Sequence, residues 1–236
     1  MKKFSLVNSV IVVLLLVIIV LLVVIMVKLD HPVAVNKNVM ADAAIPDELD
    51  YKMINGEITI TGYSGKNMDL VIPKTIEGYP VTRIGKSAFS DHEYLNSVII
   101  PDGIVAIGDA AFYNCDDLTR VELPESLVTI GDSAFKDSSG LTDMIIPNSV
   151  VTIGDRAFSS CDGLTSIVIP DSVTSIGNNA FSYCNKLKRI TIPDSVSFID
   201  YNLLAGTDIE TIYVKENSYA HRWCVNNFYE RKVQFD

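Results

Sequence analysis

A phenylalanine returns every 23 residues along this chain, at Phe89, Phe112, Phe135, Phe158 and Phe181. Other columns keep the same step. Isoleucine stands at Ile84, Ile107, Ile130, Ile153, Ile176 and Ile199, proline at Pro101, Pro124, Pro147, Pro170 and Pro193, and leucine at Leu95, Leu118, Leu141, Leu164 and Leu187. A fixed period of about 20–50 residues is the mark of a solenoid, in which each repeat is one coil stacked on the last. Stacking turns each column into a strip of continuous core. A stacked scaffold offers a long surface and no obligatory pocket, so the period points to binding rather than catalysis.

One coil can be read from Leu164 to Lys186. Leu164, Ile167 and Ile169 set an apolar alternation of β-branched residues, which predicts a short strand. Pro170 ends it, because proline lacks the N–H that a ladder needs. Asp171 and Ser172 supply turn chemistry. A second extended piece runs from Val173 to Ile176, both pointing inward, and Gly177 relaxes the backbone after it. Asn178, with Asp109, Asp132 and Asp155 in the same column, is an N-cap residue type, so a helical turn is expected to follow and to bury Ala180 and Phe181. The Pro-terminated strand recurs seven times between Asp69 and Val214. The first coil is five residues too long, and Thr75–Pro80 carries the excess as a longer turn.

The formal charge of -10 is unevenly spread. Lys2, Lys3 and Lys28 are the only charged residues before Asp30, which leaves 16 basic against all 29 acidic residues from Asp30 onward. Such a surface repels nucleic acid and anionic lipid headgroups and accepts cationic partners more easily. Val10–Val27 is a run of 18 residues without a polar side chain. As a helix it would span roughly 27 Å, near a bilayer's hydrocarbon thickness. With Lys2 and Lys3 holding the N-terminus in the cytoplasm, residues 1–29 read as a cytoplasmic tip and transmembrane signal anchor, with membrane contact through residues 4–29. The alternative is a cleaved secretory signal, with small-residue sites near Ala41 and Ala44. Both place the repeats outside the cytoplasm. Residues 30–50 read as a spacer, 51–214 as the repeat domain and 215–236 as a C-terminal cap, which the open edge of a last coil requires.

The columns resemble the BspA-like leucine-rich repeats of bacterial surface proteins. The pattern L-x-x-I-x-I-P-x-x-V-x-x-I-G-x-x-A-F-x-x-C stands here as LTSIVIPDSVTSIGNNAFSYC (Leu164–Cys184) and LTDMIIPNSVVTIGDRAFSSC (Leu141–Cys161). NGEITITGYSG (Asn55–Gly65) is similar to the opening hairpin of such arrays, and ENSYAHRWCVNNFYERKVQF to their closing helix and strand. The resemblance implies a solenoid of the α/β type: a leucine-rich repeat array of 23-residue coils with a parallel β-sheet and short helical turns, here preceded by the N-terminal transmembrane helix. It implies surface recognition or adhesion, as in those members that bind host matrix proteins or other bacteria. The long stalk or wall-attachment region of larger members has no counterpart here, which argues against a far-reaching adhesin.

Catalytic and metal constellations are not expected. His31, His92 and His221 show no metal-ligand spacing. No G-x-S-x-G elbow or glycine-rich phosphate loop occurs. Asp116, Asp117 and Asp162 lack the alternation of a calcium loop and are read as turn acids. Cys115, Cys161 and Cys184 share a column in which His92 and Ser138 stand in for cysteine. A buried structural column is the default there. Adjacent Cys161 and Cys184 are within bridging range but carry parallel Cβ vectors, poor geometry for a disulfide. No cofactor is expected.

The candidate binding surface is the outward side of the Pro-terminated strands. One column there is Val71, Ile99, Glu122, Ile145, Val168, Thr191 and Tyr213; another includes Arg120 and Arg189. Such apolar positions on a solvated sheet suit a protein ligand, with the arginines as polar anchors. Strand propensity alone would also place β-branched residues there. The sequence reading is thus a membrane-anchored extracellular repeat protein that binds a protein or surface glycan, with a cell-envelope scaffold that holds another membrane protein as the alternative.

Overall fold

The chain enters its repeats through a hairpin of β1 (Leu49–Ile54) and β2 (Glu57–Tyr63). Asn55 and Gly56 make the turn at φ 55° and 81°, the left-handed pair that two-residue hairpins use. The structure is a computed structural model that describes residues 48–236 apart from 201, 228, 230, 231 and 236.

Each coil then has three sides. The Pro-terminated strands form the first: β3 (Asp69–Val71), β6 (Ser97–Ile99), β8 (Arg120–Glu122), β11 (Ser166–Val168), β13 (Arg189–Ile192) and β15 (Thr211–Val214). All pairings are parallel, and Ile167 lies beside Ile190 at the 23-residue step. The step shortens to 22 between Ile190 and Ile212. Of the seven expected strands, the fourth is reduced to a single bridge between Arg120 and Asp143, so this side is two sheets rather than one. The second side is a continuous parallel ladder of β5 (Tyr79–Ile84), β7 (Ala106–Ile107), β9 (Thr129–Ile130), β10 (Thr152–Ile153), β12 (Ser175–Ile176) and β14 (Phe198–Ile199), to which β1 and β2 add at the N-terminal end. The excess of the first coil is not a loose turn. It is a hairpin of β4 (Thr75–Ile76) against β5, with Glu77 and Gly78 left-handed at the tip.

The third side departs from the sequence expectation. The aspartate column does not cap helices. Asp109 Oδ1 accepts the backbone N–H of Asp132, Asp132 that of Asp155, and Asp155 that of Asn178, at 3.1, 2.8 and 2.7 Å. Each carboxylate therefore ties its coil to the next. The helical element is a short turn with i to i+3 bonds, such as Ala111 N–H to Gly108 O and Tyr113 N–H to Ala110 O. Between these bonds two columns take left-handed backbone, among them Ala110, Asn114, Arg156 and Ser160 at φ 54–60°. That conformation costs a residue with a Cβ about 1–2 kcal/mol. It is offset by a third ladder: Ala110, Phe112 and Asn114 donate to the carbonyls of Asp132, Ala134 and Lys136 at 2.7–2.9 Å. Gly177 is also not there to relax the backbone, since it takes no left-handed φ. A Cβ there would sit 2.5 Å from Asp155 N, so the glycine allows two coils to close on each other.

Inside the three sides the phenylalanine column is fully buried. Its rings stack almost parallel, with centroids 4.9, 5.2, 5.3 and 5.2 Å apart. Tyr63 covers the N-terminal end of the stack, tilted, at 5.8 Å from Phe89. Leu203 and Leu204 continue the Ala–Phe pair in the last coil and are buried. The open C-terminal edge is closed by α1 (Tyr219–Asn226), capped by the Ser218 side chain, and by β16 (Val233–Phe235), which pairs with β15. Trp223 is buried and donates from Nε1 to Asp200 O at 3.1 Å.

The transmembrane expectation is corrected here. Among the described residues no helix is long and apolar enough to cross a membrane. The one α-helix described, α1, has eight residues, about 12 Å against the roughly 30 Å of a hydrocarbon core. Residues 4–29, on which the anchor was read, lie outside the described residues. The transmembrane helix, the membrane as a partner and the single-pass topology are therefore no part of the fold or of the functional reading below.

Candidate functional site

The first side presents the columns singled out in the sequence. Strand alternation sends Val98, Val121, Ile167, Ile190 and Ile212 into the core and their neighbours outward. Ile145 is 82% exposed and Val168 64%, while Ile99, Glu122, Thr191 and Tyr213 are half-buried. Ile145 lies at the reduced fourth strand, between the two sheets of this side. Arg120 and Arg189 are both exposed but differ. Arg120 Nη2 is 2.7 Å from Glu122 Oε1, on the same strand and face. Arg189 has no ion pair among the described residues. Beside it Lys188 faces Glu210 at 3.4 Å and Asp208 at 3.9 Å. Ser97 Oγ donates to Asp69 Oδ1 at 2.5 Å. The middle of the face thus carries exposed apolar side chains, with Arg120 matched to Glu122 and Ser97 to Asp69, while Asp143 and Arg189 are exposed with no ion pair among the described residues.

The other candidates serve the stack. His92, Cys115, Ser138, Cys161 and Cys184 share one function: each lies against the carbonyl of the ring residue one coil back. Cys115, Cys161 and Cys184 reach the carbonyls of Phe89, Phe135 and Phe158 at 3.0 Å. Ser138 Oγ reaches Phe112 O at 2.7 Å, and His92 Nε2 reaches Tyr63 O at 2.7 Å. The column demands a hydrogen-bond donor, which is why a thiol, a hydroxyl and an imidazole interchange there. All four cysteines are free and buried. Burial pushes the thiols of Cys115 and Cys184 up to about 12 and that of Cys161 well above its usual range, so they are poor nucleophiles and ligands. Asp116 accepts from Ser139 Oγ at 2.8 Å and Asp162 from Asn185 at 2.9 Å, both across one coil step. His221 Nδ1 accepts from Asn217 N–H at 3.1 Å. Among the described residues no cluster of three metal-ligating side chains occurs. A shallow recess of about 200 Å³ beside His92, Lys66 and Tyr94 is below the roughly 300–1,000 Å³ of small-molecule sites.

Two exposed apolar features escaped the sequence reading. Val128 and Val151 project from the second side, with Phe198 at its C-terminal end, and Tyr79 projects from the inserted hairpin. The signal for the valines was present, since both stand two residues before the isoleucine column.

A family profile described as BspA type leucine-rich repeat region matches residues 65–162 and 106–229, in six copies. The chain belongs to this family. Among solved structures it is similar to a leucine-rich repeat protein of T. pallidum, at 27% identity and a TM-score of 0.64, over 82% of this chain and 98% of that one. It also resembles a leucine-rich repeat protein from Bacteroides ovatus (29%, TM-score 0.66) over 73% of this chain and 47% of that one. A leucine-rich cell surface protein from Faecalibacterium prausnitzii matches at 33% identity and a TM-score of 0.68, over 83% of this chain and 55% of that one. The chain thus spans nearly all of the first relative and about half of the other two. Among curated proteins nothing matches. Leucine-rich repeats of this type are non-catalytic binding scaffolds, and the chain is not an enzyme.

Proposed function

We propose that this repeat domain binds a protein ligand outside the cell through the outward face of its first side. The observation that carries the reading is the exposure of Ile145 and Val168 on successive coils near the middle of this face. Clustered exposed apolar side chains on a rigid support are the usual centre of a protein interface. Ile99, Tyr213 and Thr191 extend the strip, and Glu122, Arg120 and Arg189 are its polar members. The ligand's extracellular place follows the F. prausnitzii relative, which is described as a cell surface protein. A protein is favoured over a glycan by the face itself, which centres on the apolar Ile145 and Val168 and offers one aromatic from these columns, Tyr213.

The test is the double variant Ile145→Lys with Val168→Glu, in a solid-phase screen against matrix proteins and whole cells. Both side chains lie outside the core, so the melting curve should hold while capture is lost. The same changes at Ile146 and Ile169, which are buried, should unfold the array. A folded double variant that captures ligand like the parent protein refutes the assignment.

A further inference from the structure

We infer that the ligand presents to this face a basic amphipathic α-helix lying along the axis of the stack, an inference that rests on the binding face proposed above. Two features of the structure lead there. The first is spacing. The coils repeat at 4.9–5.3 Å, as the stacked rings show. A partner helix advances about 5.4 Å per turn, so an apolar side chain once per turn falls over one coil after another. A partner strand places same-side residues about 6.6–6.8 Å apart. Over the five steps from Ile99 to Tyr213 the helix drifts from the coils by about 1–3 Å, and the strand by about 7–10 Å.

The second feature is charge. Immediately after four of the five repeat prolines the chain places an exposed acid, at Asp102, Glu125, Asp171 and Asp194; Asn148 holds the middle position, and Asp194 is paired with Lys215, which leaves Asp102, Glu125 and Asp171. Each stands three residues beyond a face position, at Ile99, Glu122 and Val168 respectively, so its Cα lies within about 11 Å of the strip. Among the described residues none of the three acids has an ion pair or a side-chain hydrogen bond. Their row runs beside the apolar strip because both follow the coils, with one coil skipped at Asn148 between Glu125 and Asp171. A helix with leucine-like residues on the strip and lysine or arginine on one flank satisfies both rows together, and an acidic helix meets repulsion along its length.

The experiment measures binding of designed peptides to the full-length chain. One peptide, of about 18 residues or five turns, carries leucine at helical period with lysine on one flank. A second replaces lysine by glutamate. A third has the same composition as the first but alternates leucine and lysine at strand period. The first should bind, and more weakly as ionic strength rises. Its affinity should fall about tenfold in the variant Asp102→Asn, Glu125→Gln, Asp171→Asn, as three exposed pairs lost together would give. It should be lost in Ile145→Lys with Val168→Glu, which leaves the net charge unchanged. Equal binding of the glutamate peptide, equal binding of the strand-period peptide, an unaffected triple variant or no binding of the first peptide overturns the inference. If the double variant still removes capture of the natural ligand in any of those cases, the face assignment survives and only the helical, basic character of the partner falls. If the double variant captures that ligand unchanged, the face assignment falls as well.

Discussion

Removing one ring from the middle of the phenylalanine stack tests the coil-by-coil account of stability. Phe135 is fully buried, with Phe112 at 5.2 Å on one side and Phe158 at 5.3 Å on the other. Truncation of a buried phenylalanine to alanine costs about 3–5 kcal/mol. Two ring contacts are lost together, each worth about 0.5–1.5 kcal/mol beyond area burial, which places Phe135→Ala in the upper half of that range. Collapse into the gap is opposed because the coils above and below are held by the backbone ladders of the second and third sides. Phe89→Ala should cost less, since Phe89 has one stacked partner and a tilted Tyr63 on its other face. Phe135→Leu should be milder still, because Leu204 fills the equivalent place in the last coil. Urea titration followed by circular dichroism gives the three energies. Hydrogen exchange should show lost protection centred on residues 108–163, the coils that touch the cavity. Equal costs for Phe89→Ala and Phe135→Ala, or a uniform loss of protection along the array, would refute nearest-neighbour coupling through the rings.

Gly131→Ala should destabilise by more than the few tenths expected of a surface change. The new Cβ would lie 2.8 Å from Asp109 N and Gly108 C, both backbone, and a drop in Tm of several degrees in a thermal melt is the measurement. At Cys161, serine should be tolerated because Ser138 already makes the equivalent bond, whereas alanine leaves the Phe135 carbonyl with the Ser138 N–H alone and should cost about 0.5–1.5 kcal/mol in the same titration. The raised thiols also set an alkaline limit. An unfolded cysteine deprotonates near 9.0, while folded Cys115 and Cys184 hold their protons to about 12. Their contribution is therefore intact below pH 9 and is lost as pH rises toward 12, at about 1.4 kcal/mol per pH unit for each thiol; Cys184→Ser should make the slope of stability against pH measurably shallower.

How far the fold could be read in the sequence follows from which contacts each residue type reveals. The inward columns were legible because stacking places like on like, so burial and period carry the same information. Phe135 and Ile153 needed nothing beyond their spacing. Asp109 and Asp132 were misread because an aspartate that caps a helix and one that caps the next coil do the same chemistry, accepting a backbone N–H. Only the donor differs, and it lies 23 residues away. Gly177 was misread for a similar reason, since the need for a glycine came from Asp155 in the neighbouring coil rather than from its own φ. The donor role of the Cys115 column was hidden because thiol, hydroxyl and imidazole share hydrogen bonding and little else. The outward direction of Ile145 and Val168 followed from alternation. The reduction of Asp143–Ile145 to a single bridge did not, because LTDMIIP keeps the full strand pattern, and nothing in the structure explains it. The arginines were half read: alternation placed both outward, but the pairing of Arg120 with Glu122 depends on side-chain reach along the strand.

The same logic bears on where specificity can reside. The inward apolar columns are constrained twice, by the coil before and the coil after, and stay apolar throughout, as at Val121, Met144, Ile167 and Ile190. The adjacent outward column runs Arg120, Asp143, Ser166, Arg189, changing charge at each step. Turn columns are bound almost as tightly, since their side chains serve the ladders, as Ser126, Ser149, Ser172 and Ser195 do by donating to the carbonyl one coil back at 2.6–2.8 Å. What varies most from coil to coil is therefore the outward row of the first side, with the mostly acidic positions beyond the prolines beside it. A ligand that reads this protein reads a one-dimensional series at a step of about 5 Å. Its affinity should depend on the order of side chains along that series, and hence on several coils at once, rather than on any single residue.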